Sequence, residues 1–74
     1  MQYTLKQLQY LISVSEHGNI SAAAKDLFIS QPALSTSIAQ LESSLGLTLL
    51  IRHHAKGVSL TPAGADFLAR ARSL

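Results

Sequence analysis

The sequence predicts a mainly α-helical domain, in which three helices precede a two-stranded β-hairpin and the start of a fourth helix. Apolar residues recur at intervals of three and four positions in the first half of the chain, as they do on the buried side of a helix. Gly18 and Gly46 follow such segments and are typical helix stops. Two short apolar runs then flank a loop that contains Gly57, which is the pattern of a β-hairpin.

The first helix is predicted to begin after Thr4 and to end near residues 17–19. Thr4 and Gln7 have the spacing of a capping box, in which Thr4 caps the helix and Gln7 reaches back to it. Apolar residues then repeat at helical spacing, namely Leu5, Leu8, Leu11 and Ile12. Gly18 supplies the C-terminal stop.

A short second helix is predicted over residues 22–27, with Ser21 as its N-cap. Its first three residues are alanine, which lets another helix approach closely; high helix propensity alone is the alternative explanation. Close packing is favoured because Leu27 and Ile29 stand where a tight helix-turn-helix needs core anchors. The turn comprises residues 28–30.

The third helix is predicted to begin after Ser30, to carry Pro32 in its first turn and to run to about Leu45. One side has an apolar stripe at helical spacing, formed by Leu34, Ile38 and Leu41. The other side is small and uncharged, and it carries Gln31, Ser35, Thr36 and Ala39. A face that served solubility alone would more often carry Lys and Glu, so this side is the first candidate for recognition.

The hairpin is predicted from residues 47–51 and 58–60, on either side of a polar tip. Thr61 and Pro62 then start a fourth helix, as its N-cap and its first helical residue. Its apolar side comprises Ala63, Phe67, Leu68, Ala71 and Leu74. This order of elements is a winged helix-turn-helix. The domain is predicted over residues 3–61, with the helix-turn-helix at about 20–39 and the wing at about 49–60; the unfinished apolar stripe of the helix at 62–74 suggests a fragment or a dimerising segment.

Length and composition restrict the classes of function. The chain has 74 residues, enough for one small domain, and 47% of them are hydrophobic. It contains no cysteine, which excludes disulfides and thiolate metal sites. No apolar run approaches the roughly 20 residues of a membrane span, and the N-terminus lacks the pattern of a signal peptide. We therefore expect a cytoplasmic protein with no membrane partner and no cofactor.

The third helix carries the predicted specificity. A helix-turn-helix places its second helix in the major groove of DNA and reads base edges with that helix's N-terminal residues. Gln can make a bidentate contact with adenine, Ser and Thr can bond several bases, and small apolar groups can contact the thymine methyl. The candidate residues are Ser30, Gln31, Pro32, Ala33, Ser35 and Thr36. An ordinary solvated helix face is the alternative.

The wing carries the predicted contacts to the DNA backbone. No acidic residue occurs between residues 43 and 65, a stretch that includes the candidates Arg52, His54 and Lys56. A basic wing can lie on the phosphates or enter the minor groove. A local structural ion pair, with Glu42 as the candidate partner, is the alternative for Arg52, and an ordinary solvated loop is the alternative for the whole segment.

Two other chemistries are disfavoured. His53 and His54 are neighbours on a predicted strand, where they point to opposite faces and chelate one metal ion poorly. The four acidic residues occur one per predicted helix, and no phosphate-binding loop and no nucleophile beside a base is present. We predict neither a metal site nor an enzyme.

With these residues identified, the sequence resembles the DNA-binding domain of the LysR-type transcriptional regulators over nearly the whole chain. The matching segments are Leu8-Gln9-Tyr10-Leu11, Gly18-Asn19-Ile20-Ser21-Ala22-Ala23-Ala24, Ser30-Gln31-Pro32-Ala33-Leu34-Ser35, Leu41-Glu42, Leu45-Gly46 and Leu60-Thr61-Pro62-Ala63-Gly64. In that family the residues matching Gln31, Pro32, Ser35 and Thr36 face the major groove, and a basic wing residue matching Lys56 enters the minor groove.

The resemblance implies a bacterial transcription factor much longer than this chain. Its C-terminal effector-binding domain, which these 74 residues are too few to include, senses a small molecule. The fourth helix resembles the start of the linker helix through which two subunits pair. A homodimer or higher homo-oligomer would then bind an interrupted palindromic operator in double-stranded DNA, with half-sites about 34–36 Å apart or a multiple of that distance.

The sequence departs from the family pattern at three positions. Thr36 stands where the family very often has Arg, Phe28 occupies a turn position often held by Gly, and Leu50 stands where Phe is common. The low charge of the third helix implies modest affinity per domain, which dimer avidity would offset. A winged-helix module that binds a protein partner is the alternative function, and an acidic or apolar recognition face would favour it.

Overall fold

Three helices, a hairpin and a further helix follow one another in the computed structural model, which describes residues 3–53 and 57–72. They are α1 (Leu5–His17), α2 (Ile20–Leu27), α3 (Gln31–Leu45), β1 (Leu50–His53), β2 (Gly57–Leu60) and α4 (Pro62–Arg72). The strands pair antiparallel, with Leu50 opposite Leu60 and His53 opposite Gly57. The predicted winged helix-turn-helix is confirmed.

Local signals set the ends of α1 and α3 as predicted. The Thr4 N–H donates to Gln7 Oε1 and the Gln7 N–H donates to Thr4 Oγ1, both at 3.0 Å, which completes the capping box. Gly18 and Gly46 end their helices in the left-handed conformation, with φ of 73° and 67°. At the start of α4, the Gly64 N–H donates to Thr61 Oγ1 at 2.9 Å, so Thr61 is the predicted cap.

The predicted start of α2 is wrong by two residues. The N-cap is Asn19 and not Ser21: Asn19 Oδ1 accepts a hydrogen bond from the Ala22 N–H at 2.6 Å, and the helix begins at Ile20. Asn and Ser are comparable caps, but Asn19 directly follows the left-handed Gly18 and is extended, with φ of −157°. Its side chain therefore reaches the amide three residues on, and Ser21 lies inside the helix.

The first strand is displaced from its predicted position as well. It spans Leu50–His53, because the residues before it bond elsewhere. The Leu47 N–H donates to the Glu42 carbonyl oxygen at 3.2 Å, and the Leu49 N–H donates to Glu42 Oε2 at 2.7 Å. The Leu49 carbonyl accepts from the Thr61 N–H at 2.9 Å. The segment between α3 and β1 is therefore bonded to the end of α3 and the start of α4 instead of to β2.

One hydrophobic core joins the helices to the base of the hairpin. Its buried members are Leu11, Val14, Ala23, Ala24, Leu34, Ile38, Leu41, Leu49, Leu50 and Leu68. The burial of two alanines of α2 agrees with the close packing predicted for that helix, which contacts both α1 and α3. Leu27 and Ile29 pack against the edge of the core. No helix in the described part of the chain is long and apolar enough to cross a membrane.

A buried hydroxyl in α1 leads to a stability prediction. Ser13 is 6% exposed, and its Oγ has no hydrogen-bond partner among the described residues. Such a group costs about 1–3 kcal/mol, and alanine also has the higher helix propensity. We expect Ser13→Ala to raise the free energy of unfolding by about 1 kcal/mol, measured by urea denaturation.

Ser15→Ala is the matched control for this prediction. Ser15 lies in the same helix, but its Oγ donates to the Ile12 carbonyl oxygen at 2.9 Å. Its removal therefore loses a hydrogen bond, and we expect no gain in stability. An equal gain in both variants would show that helix propensity alone is responsible and would contradict the prediction for Ser13.

Candidate nucleic-acid interface

The buried stripe of α3 determines which residues of that helix face outward. Leu34, Ile38 and Leu41 have no exposed surface, so one side of α3 is held against the core. The candidate residues lie together on the first two turns: Ser30, Gln31, Pro32, Ala33 and Thr36 are exposed, and Ser35 is half-buried. We call this surface the α3 face. Sequence periodicity was sufficient to place it, because the rotation of one helix follows from its apolar side.

The α3 face is uncharged and lies at a helix N-terminus. Ser30 caps the helix, since its Oγ accepts from the Ala33 N–H at 3.2 Å. Pro32 lies in the first turn, where a missing N–H leaves no hydrogen bond unmade. Neither α2 nor α3 has an acidic residue in its first turn. The positive ends of both helix dipoles therefore favour an anion such as phosphate nearby.

One side-chain hydrogen bond joins the N-terminal ends of α2 and α3. Gln31 Nε2 donates to Ser21 Oγ at 3.2 Å. Gln31 is the first residue of α3, Ser21 is the second of α2, and both are exposed. Gln31 is thus tied to the neighbouring helix instead of extending freely into solvent.

The turn between α2 and α3 has an unusual backbone at Phe28. This residue ends α2 with φ of 59°, a left-handed conformation that costs a non-glycine residue about 1–2 kcal/mol. The turn is closed by backbone hydrogen bonds, one of them from the Ile29 N–H to the Ala24 carbonyl at 3.1 Å. The Phe28 side chain is 94% exposed. At this departure from the family pattern, the large side chain points into solvent and does not join the core.

The described part of the wing carries two basic side chains. Arg52 lies opposite Val58 and is exposed. His53 is also exposed, and its Nε2 lies 2.7 Å from Ser59 Oγ across the hairpin. Because neighbours on a strand point to opposite faces, the two side chains leave the wing on different sides. The other two wing candidates, His54 and Lys56, lie outside the described residues.

The wing is docked on the turn between α1 and α2. The Val58 N–H donates to the Gly18 carbonyl oxygen at 2.9 Å. Gly57 has φ of 85° and lies so close to this turn that a Cβ there would overlap the same carbonyl oxygen. Asn19, the next residue, caps α2. A two-residue turn therefore sets the position of the wing relative to the first helix of the helix-turn-helix.

The Glu42 carboxylate braces the start of the wing from α3. Its Oε2 accepts from the Leu49 N–H at 2.7 Å and from the Leu50 N–H at 3.4 Å. Within residues 3–53 and 57–72, Glu42 and Arg52 form no ion pair, so the alternative considered for Arg52 is wrong. Arg52 remains an exposed cation on the hairpin, as contact with phosphate would require.

Other carboxylates pair within or between helices. Asp26 Oδ2 lies 3.5 Å from His17 Nε2, and Asp66 Oδ2 lies 3.0 Å from Arg70 Nε. Across the residues that the structure describes, no group of three His, Cys, Asp or Glu could hold a metal ion. The described residues offer hydrogen-bonding groups on an uncharged helix face and one exposed arginine, Arg52, on the hairpin.

Three residues that position this interface are not among the residues predicted from the sequence. Asn19 had a local signal, since an Asn directly after a helix-stopping Gly is a good N-cap. Glu42 and Gly57 had none, because their partners lie seven or more residues away in other elements. Such contacts become visible only once the tertiary structure is known.

Comparison with known proteins identifies the same architecture. A family profile described as "Bacterial regulatory helix-turn-helix protein, lysR family" matches residues 5–65. The HTH-type transcriptional regulator ClcR of Pseudomonas putida is 52% identical over 69 residues, which are 93% of this chain and 23% of ClcR. The chain thus spans about a quarter of the length of this curated relative.

Two solved structures align with nearly the whole chain. The crystal structure of the CbnR_DBD–DNA complex has a TM-score of 0.88 at 47% identity, covering 95% of this chain and 79% of that one. The crystal structure of the BenM_DBD/benA site 1 DNA complex has a TM-score of 0.86 at 38% identity, covering 95% and 80%. Both of these neighbours are complexes with DNA.

Proposed function

The chain belongs to the lysR family of bacterial regulatory helix-turn-helix proteins, and on that premise we propose that it binds double-stranded DNA sequence-specifically, as the DNA-binding domain of a bacterial transcriptional regulator. The main support is the α3 face, which is uncharged, carries exposed hydrogen-bonding side chains and lies on a helix that is anchored by a buried stripe. The major groove is wide enough for a helix and presents base-edge donors and acceptors to such a face.

In this proposal α3 specifies the sequence and the wing positions the domain. Gln31 contacts adenine, Ser35 and Thr36 bond base edges, and Pro32 and Ala33 contact thymine methyl groups. Ser30 caps α3 by accepting a hydrogen bond from the Ala33 N–H, and it lies beside these residues at the N-terminal end of the helix. Arg52, His54 and Lys56 hold the phosphates or the minor groove.

We propose no catalytic role, in line with the regulator ClcR as a relative. The alternative function, a module that binds a protein partner, would be favoured by an acidic or apolar recognition face. The first turn of α3 has no acidic residue, and three of the five exposed residues of the α3 face are polar, namely Ser30, Gln31 and Thr36. The DNA complexes among the structural neighbours support DNA as the partner.

For the whole regulator we propose a homodimer or higher homo-oligomer on an interrupted palindromic operator, with half-sites about 34–36 Å apart or a multiple of it. Residues 3–61 would form the DNA-binding domain, and the helix from residue 62 would begin the linker through which subunits pair. A small-molecule effector would act through a C-terminal domain outside these 74 residues. Such a protein would act in the cytoplasm, where bacterial DNA lies.

Selection of bound duplexes from a random-sequence library tests the proposed function. We expect the chain to enrich a defined half-site motif and to prefer the enriched duplex over a scrambled one. Affinity should fall steeply with salt, because phosphate contacts release counterions. Failure to enrich any motif at physiological salt would overturn sequence-specific binding, and no binding to any duplex even at low salt would favour the protein-binding module.

Gln31→Ala is expected to cost about 1–3 kcal/mol of binding free energy on the selected duplex and to relax base preference at one position. The reason is the loss of a bidentate contact to adenine. Fluorescence anisotropy on the selected duplex and its single-base variants measures both effects. Gln40→Ala, an exposed glutamine further along α3, is the matched control and should leave the preference unchanged. A Gln31→Ala loss that is equal on every sequence would contradict base reading.

Lys56→Ala is expected to weaken binding to selected and scrambled duplexes alike. One lost phosphate contact should lower the slope of log affinity against log salt by about one. The measurement is fluorescence anisotropy over a salt series on both duplexes. An unchanged slope would show that Lys56 does not contact the backbone.

A further inference from the structure

Ser21, at the start of α2, bears on how the α3 face recognises a base. Its Oγ accepts the hydrogen bond from Gln31 Nε2 at 3.2 Å. We propose that Ser21 is a positioning residue that orients the Gln31 amide before DNA is bound. This inference rests on the proposed function, because it concerns how the α3 face reads sequence.

The bond sets the direction of the Gln31 amide and leaves free the donor and the acceptor that would contact a base. Gln31 Nε2 carries two donor hydrogens and Oε1 is an acceptor. Ser21 accepts one of these hydrogens, so Nε2 faces the start of α2, and the bond leaves Oε1 unused. The second Nε2 hydrogen and Oε1 are the two groups that a bidentate contact to adenine needs, one for N7 and one for the N6 amino group. Ser21 therefore supports the base contact and does not compete with it.

Restricting Gln31 in the free protein favours binding. An exposed glutamine samples many rotamers, and immobilising it on a base opposes association. The hydrogen bond to Ser21 removes part of that freedom beforehand. This effect is transmitted only through Gln31, so it should disappear when Gln31 is absent.

Ser21 lies in a helical turn that is anchored to the core. It lies within the first turn of α2, where Asn19 Oδ1 accepts from the Ala22 N–H at 2.6 Å. The next residues, Ala23 and Ala24, are 0% and 2% exposed and anchor the helix in the core. The hydroxyl at position 21 is thus held in place relative to the start of α3.

A double-mutant cycle tests this role on the duplex that the wild-type chain selects. Ser21→Ala is expected to lower affinity about fivefold, and the preference for the correct base at the Gln31 position by a similar factor. In the Gln31→Ala background, Ser21→Ala should change neither quantity. Ser21→Thr keeps a hydroxyl and should restore both. Ser44→Ala, an exposed serine near the other end of α3, is the matched control and should have no effect.

A second readout does not depend on DNA. Nitrogen-15 relaxation of the Gln31 side-chain amide in the free protein should show greater mobility in Ser21→Ala than in the wild type, Ser21→Thr or Ser44→Ala. Unchanged mobility would contradict positioning, whatever the binding data show.

Two binding results would overturn the inference while leaving the proposed function intact. Full base preference in Ser21→Ala would show that Gln31 needs no positioning. An equal loss on selected and scrambled duplexes that persists in the Gln31→Ala background would show that Ser21 contacts phosphate directly. A wild-type chain that selects no sequence would instead overturn the proposed function, and this inference with it.

Discussion

Gly64→Ala is expected to lower the free energy of unfolding by about 3 kcal/mol. At an ordinary helix position the same substitution stabilises by about 1 kcal/mol. In α4, however, Gly64 is buried, and a Cβ there would overlap the Leu49 carbonyl oxygen and lie 3.1 Å from the Leu49 carbonyl carbon. Leu49 is fully buried and bonded to Glu42 and Thr61, so its backbone cannot move without breaking those contacts.

Urea denaturation followed by circular dichroism measures this loss. Gly46→Ala is the matched control: Gly46 has φ of 67°, but nothing lies within 4 Å of its Cβ position, so only backbone strain is added. We expect about 1 kcal/mol of destabilisation there. A neutral or stabilising Gly64→Ala would contradict the close contact between α4 and the segment before β1.

Gly57→Ala is expected to detach the wing from the turn between α1 and α2. The left-handed φ of 85° becomes strained, and the new Cβ overlaps the Gly18 carbonyl oxygen that accepts from the Val58 N–H. We expect a loss of about 2 kcal/mol in the free energy of unfolding. If the wing contacts DNA as proposed, affinity for the selected duplex should fall about tenfold.

Gly18→Ala is the control that separates backbone strain from the steric overlap of the new Cβ at position 57 with the Gly18 carbonyl oxygen. Gly18 has φ of 73°, but nothing lies within 4 Å of its Cβ position, so its substitution adds strain alone. Amide hydrogen exchange of Val58 should accelerate more in Gly57→Ala than in Gly18→Ala, because only the first variant displaces the bonded carbonyl. Equal acceleration in the two variants would contradict wing docking through Gly57.

The parts of the fold that sequence predicts well depend on signals within one turn of helix. The capping box at Thr4 and the stops at Gly18 and Gly46 set the ends of α1 and α3 correctly. The predicted start of α2 is wrong because the sequence offers two good N-caps, Asn19 and Ser21, only two residues apart. Asn19 is favoured because it directly follows the left-handed Gly18, and this order of residues is a sequence signal that the prediction did not use.

The displacement of the first strand and the positioning contacts could not be predicted, because they depend on contacts between different parts of the chain. The Leu49 N–H donates to the Glu42 carboxylate, which belongs to α3, and no local sequence pattern predicts that contact. The bond between Ser21 and Gln31 likewise joins residues of two helices. The α3 face itself was predictable, because a buried stripe on one helix determines what its opposite side presents. The DNA contacts of that face and of the wing stay predictions.

We propose above that α3 reads adenine from the major groove through Gln31. The most direct test replaces each adenine of the selected duplex in turn by 7-deazaadenine, which lacks the N7 acceptor and keeps base pairing and the minor groove. Fluorescence anisotropy should show that one such replacement per half-site weakens the wild-type chain about tenfold and leaves Gln31→Ala unaffected. Wild-type binding that tolerates every replacement, or equal sensitivity in Gln31→Ala, would contradict the claim.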